Sequence, residues 1–256
     1  MSSKENKKIE EGDNDDNDMS FLGHLEELRW RLLYSVIGLI LGTIVAWVFI
    51  DYLIDGILLV PAKNAEIKLQ NLQPFGQLFL YFQVALITGM VISIPNIFYH
   101  IWKFIGPALR QNEKRYAFWV VAFSTICFIC GIVFAYMVML PLTLKFAGQF
   151  GSADIENNFA VTEYFSIIIS VMMAAGFIFE LPMMSFFLSK IGLLKPQHMR
   201  KFRKHSIVAI LLAAAILSPG TDPVAQILLA IPLVILYEIS IFVSKFSQKK
   251  QIEEES

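Results

Sequence analysis

At 256 residues, with 56% hydrophobic and 17% charged side chains, the chain is too apolar for an ordinary water-soluble domain, in which about 25% of residues are charged. Its mean hydropathy of +0.59 points to lipid as the solvent and to a single integral membrane domain filling nearly all of the length. The formal net charge of −1 conceals strong segregation along the chain and says little about partners; nucleic acid is not expected among them.

Residues 1–19 contain the acidic tract "EEGDNDDND", with almost nothing apolar to offset the entropy of ordering, so a disordered cytoplasmic tail is expected. The tail lacks the cationic start and short apolar core of a cleavable signal, so the first apolar run is expected to be retained. "HLEELRWRLL" follows, from His24 to Leu33. Leu25, Leu28 and Leu32 fall on one helical stripe, and Glu27 and Arg31 stand i,i+4 in the favourable order. A salt-bridged amphipathic helix leading into the membrane accounts for this pattern. So does a second reading, because acidic residues contribute little to topology: Glu27, and Glu113 in the basic loop "PALRQNEKR", could recognise a small cationic ligand.

Apolar runs long enough to span, at about 20 residues for a core of about 30 Å, occur at 32–52, 76–100, 116–140 and 163–188. The run 206–217 would make a helix of only about 18 Å, and the run 224–243 contains Pro232 and Glu238. Read as six spans, the last two short, the chain puts both termini in the cytoplasm. Eighteen of the 21 Lys and Arg residues then lie inside, and only Lys63, Lys68 and Lys145 outside, which is the bias that orients membrane proteins. One membrane domain, 20–245, is expected between the acidic tail and a short cytoplasmic tail, 246–256.

Within the spans, Glu180 in "GFIFELPMM" is costly in lipid and should be protonated or hydrogen-bonded. It is either a packing contact within the bundle or a docking point for another membrane helix or ligand. Pro182 removes a helix donor and predicts a kink there; Pro95 and Pro232 predict further bends and a cupped bundle. Asp222, just ahead of Pro223 in "SPGTDPVAQ", reads as a helix start, and Gln226 lies one turn later. Cys127 and Cys130 read as small packing residues on one face of the third span. The four histidines have no metal-ligand spacing, and no nucleophile motif or phosphate loop is present. No cofactor is expected, and an enzyme is not indicated. A secondary transporter of a small cation, with Glu180 as carrier, is a rival reading weakened by the absence of paired half-helices.

Taken together, "FLGHLEELRWRLL", "IPNIFYHIWKFIGPALRQNEKR", "GFIFELPMM" and "SPGTDPVAQILLAIPLVILYEIS" resemble TatC, the multispanning receptor subunit of the twin-arginine protein translocase. The resemblance implies an all-α concave bundle of six transmembrane helices with both termini cytoplasmic, in the inner membrane. It implies capture of the twin-arginine signal peptides of folded cargo by Glu27 and Glu113, with Arg29 and Phe104 on the same surface. Glu180 matches an acidic position in the concave wall, and Gln226 a contact for TatA-like and TatB-like single-span partners. Asp222 matches an acidic position on the outward side. Membrane lipid and further copies of the chain in a larger complex complete the implied partners.

Overall fold

The computed structural model describes residues 2–105, 117–149, 158–190, 192–217 and 223–255, with side-chain surroundings beginning at Gly23. Ten α-helices and two short strands are described: α1 (Ser2–Val48), α2 (Val60–Asn64), β1 (Lys68–Gln70), α3 (Gly76–Ile105), α4 (Ala117–Phe134), α5 (Leu140–Gln149), β2 (Asn158–Ala160), α6 (Val161–Ile178), α7 (Leu181–Lys190), α8 (Pro196–Lys201), α9 (Arg203–Leu217) and α10 (Pro223–Glu255). Two π-helical stretches, Tyr52–Leu58 and Ala135–Met139, interrupt the α-helical path.

Among the described residues, four helical stretches are long and apolar enough to cross a membrane: Gly23–Val48, Gly76–Phe104, Phe118–Lys145 and Val161–Lys190. These coincide with the four long runs expected from hydropathy. The fourth is broken at the position Pro182 predicts. Pro182 has no N–H to give to the carbonyl of Ile178, so α6 ends there and α7 begins at Leu181. α3 and α10, by contrast, run through Pro95 and Pro232 as single helices. The third stretch absorbs a π-helical turn between α4 and α5, which no periodicity in the sequence announces. α9 holds 15 residues, about 22 Å of helix, and is the short element expected before the last one.

Lipid gives helices no hydrophobic reason to associate, so they pack through small residues and interhelical hydrogen bonds. α1 and α3 meet in that way. A Cβ on Gly42 would stand 2.5 Å from the Gly89 carbonyl oxygen and 2.5 Å from Ser93 Oγ, so only glycine permits this approach. One turn nearer the start of α1, Ser93 Oγ donates to the Gly38 carbonyl at 2.7 Å, and Asn96 Nδ2 donates to the Tyr34 carbonyl at 3.2 Å. α4 and α6 use the same device, since a Cβ on Gly131 would lie 2.6 Å from the Ala175 carbonyl oxygen. α7 and α10 are joined by a buried hydrogen bond between Ser189 and Ser244. At the opposite end of the bundle from Gly23, β1 and β2 pair in parallel, Lys68 opposite Asn158. Buried there, the Tyr164 hydroxyl donates to the Leu58 carbonyl at 2.8 Å and accepts from the Ala62 N–H at 3.0 Å.

Candidate functional site

Where α1 begins its apolar stretch and α3 ends, the two helices bring together residues about 80 positions apart. The His24 ring stacks on that of Phe104, with centroids 4.4 Å apart and planes 17° from parallel. One helical turn along α1, the Glu27 carboxylate meets two side chains of its own helix. Its Oε1 accepts a hydrogen bond from Arg31 Nη2, and its Oε2 lies 3.7 Å from His24 Nδ1. The salt bridge expected from i,i+4 spacing is therefore formed. It is also lopsided, because the Glu27 side chain keeps 37% of its exposure while that of Arg31 keeps 12%. Arg29, two residues from Glu27 and so across the helix, is exposed. Leu25, Leu28 and Leu32 are exposed as well, so the apolar stripe of this helix faces away from the rest of the chain.

The structure thus gathers Glu27 and Phe104 at one end of the bundle. Glu113 and Asp222 lie outside the described residues. His24 was the residue that spacing alone missed. Its i,i+3 relation to Glu27 was legible, but its contact with Phe104 was not, because that depends on how α1 packs against α3.

Glu180 sits elsewhere, in the break between α6 and α7. It is buried beside Ser124 and Phe128 of α4. One of its oxygens, Oε1, is buried without a hydrogen-bond partner among the described residues. A small apolar cleft lies close to the same break, lined in part by Phe134, Ala175, Ile178, Phe179 and Leu233. Gln226 Nε2 donates to the Leu211 carbonyl at 3.0 Å and so ties the first turn of α10 to α9. Glu238, in the last apolar run, is paired with Arg203 at 2.6 Å across α9 and α10. Cys127 and Cys130 are both free thiols. Among the described residues no group of His, Cys, Asp or Glu is placed to hold a metal ion.

A polytopic helical membrane protein, with a half-exposed carboxylate and an aromatic stack at one end of its first two long helices, is the class these features define. A profile of the family described as Sec-independent protein translocase protein (TatC) matches residues 23–232. The chain is 37% identical to the Aquifex aeolicus Sec-independent protein translocase protein TatC, covering 92% of this chain and 98% of that one. To the Carboxydothermus hydrogenoformans protein of the same name it is 32% identical, over 94% and 99%. The chloroplastic relative of Pisum sativum is 32% identical, but the match covers 87% of this chain and 63% of that longer one. A crystal structure described as the twin arginine translocase receptor TatC superposes with a TM-score of 0.77 at 37% identity, over 88% of this chain and 99% of that one.

The chain belongs to the TatC family and is a core membrane subunit of a twin-arginine protein translocase. That membership sets aside the small-cation transporter as an alternative. The family is one of translocase membrane subunits and not of enzymes.

Proposed function

We propose that this chain spans the cytoplasmic membrane six times, with both termini inside, and captures twin-arginine signal peptides at the inner ends of α1 and α3. Eighteen of the 21 basic residues fall inside in this arrangement, which supports it. In this reading α9 and α10 supply the fifth and sixth spans of a concave bundle, residues 20–245 are one membrane domain, and 1–19 and 246–256 are cytoplasmic tails.

Glu27 and Glu113 receive the two arginines of the signal peptide, with Arg29 and Phe104 completing the recognition surface. A guanidinium is planar, permanently charged and forked, and so suits a carboxylate better than the compact ammonium of lysine. In open water each pair gives only about 0.2–1 kcal/mol; partial desolvation at the headgroup layer raises a charged hydrogen bond toward about 1.5–3 kcal/mol. The apolar part of the peptide then enters the concave face. Glu180 and Gln226 contact TatA-like and TatB-like single-span partners, Asp222 lies on the outward side, and several copies of the chain, with lipid, form the working complex.

The observation that carries this reading is the half-exposed Glu27 carboxylate, one turn from an aromatic pair that closes α1 onto α3. Capture of a twin-arginine precursor by the Glu27→Gln, Glu113→Gln double variant tests it. Loss of capture is expected, and capture equal to that of the unaltered chain rejects the site.

A further inference from the structure

Two buried nitrogens stand beside the candidate site without a partner among the described residues: Arg31 Nη1 and His100 Nδ1. They belong to facing positions. Gly42 meets Gly89, Gly38 meets Ser93, and Tyr34 meets Asn96 and His100. Each step inward along α1 is thus matched by a step toward the inner end of α3, which sets Arg31 opposite His100. Arg31 is also close enough to act electrostatically on His100, as is Lys103.

We propose that Arg31 is an internal stand-in for a cargo arginine: it occupies Glu27 in the resting receptor and passes to His100 when a signal-peptide guanidinium takes its place. This rests on Glu27 being a recognition carboxylate. In the resting arrangement Glu27 Oε1 is taken by Arg31 Nη2, while Arg31 Nη1 and His100 Nδ1 go without partners. Two unsatisfied buried groups are costly. If the arriving guanidinium replaces the resident one on Glu27, the carboxylate exchanges like for like. Arg31 is then free to turn toward α3 and donate an N–H to His100 Nδ1, a neutral imidazole accepting at whichever ring nitrogen lacks its proton. The loaded state pairs the two groups that the resting state leaves bare, against the loss of the Arg31 Nη2 bond to Glu27, which the arriving guanidinium takes over.

The test is binding of a fluorescent peptide, two adjacent arginines followed by an apolar segment, to the full chain in lipid nanodiscs. Arg31→Gln removes the resident competitor, and its Kd is expected to fall about 10- to 150-fold, the factor for losing one competing charged hydrogen bond. His100→Phe is expected to weaken binding when Arg31 is present and to have no effect in the Arg31→Gln background. His100→Gln, which keeps an acceptor, is expected to bind as the unaltered chain does. Weaker or unchanged binding by Arg31→Gln, or the same loss from His100→Phe in both backgrounds, overturns the exchange. Glu27→Gln separates the two levels. If it binds the peptide normally, the recognition site and the exchange fall together; if it loses binding while Arg31→Gln gains nothing, only the exchange falls.

Discussion

The imidazole of His24 lies nearly parallel to the phenyl ring of Phe104, centroids 4.4 Å apart, so the residue nearest the second oxygen of Glu27 is held in place by another helix. The inner end of α1 is therefore not an independent amphipathic segment. A stacked aromatic pair contributes about 0.5–1.5 kcal/mol. Phe104→Ala is expected to weaken binding of a twin-arginine peptide about 2- to 12-fold while the protein still purifies as a folded species, and Phe104→Tyr to preserve it. Fluorescence anisotropy with the labelled peptide checks both.

Close backbone approach at Gly42 and Gly89 gives a second expectation. An added Cβ at Gly42 meets backbone and a hydroxyl at 2.5 Å, so Gly42→Ala should force α1 away from α3 and cost about 1–3 kcal/mol. Gly23, where an added Cβ meets nothing within 4 Å, is the control: Gly23→Ala should be neutral or stabilising by about 0.5–1 kcal/mol. Thermal unfolding in detergent reads the contrast.

Near the β1–β2 pair, Tyr164 serves two buried backbone groups at once, the Leu58 carbonyl and the Ala62 N–H. Tyr164→Phe keeps the ring and strands both, at a cost of about 1–3 kcal/mol. The loss should be local. Hydrogen exchange at the Ala62 amide is expected to accelerate, with the amides at the inner end of α1 unchanged.

Ser189 and Ser244 share one hydrogen bond between α7 and α10. Either single change to alanine leaves a buried hydroxyl without its partner, whereas changing both removes donor and acceptor together. The double variant should therefore lose less stability than the two single losses added, by about 0.5–1 kcal/mol in a double-mutant cycle.

Much of this architecture is legible in the sequence, and the legible parts share a cause. Long apolar runs are set by the thickness of the hydrocarbon core, so the four extended stretches appear in hydropathy close to where the helices lie. Pro182 breaks a helix by removing a specific donor, and Glu27–Arg31 is a matter of helical spacing. What stayed hidden depends on packing between distant segments. The π-helical turn Ala135–Met139, the pairing of β1 with β2 and the partnership of Arg203 with Glu238 have no local signature. At the site, the carboxylate could be singled out as unexplained, but its neighbour His24 gained meaning only when α3 placed Phe104 against it.

The preference of the receptor for arginine over lysine, compared with and without the Glu27 carboxylate, tests the recognition reading most directly. Peptides carrying an arginine pair and a lysine pair are titrated against the unaltered chain and against Glu27→Gln. The unaltered chain is expected to bind the arginine peptide more tightly, and Glu27→Gln to lose most of that preference. An arginine preference that survives intact in Glu27→Gln would contradict the assignment of this carboxylate to the guanidinium.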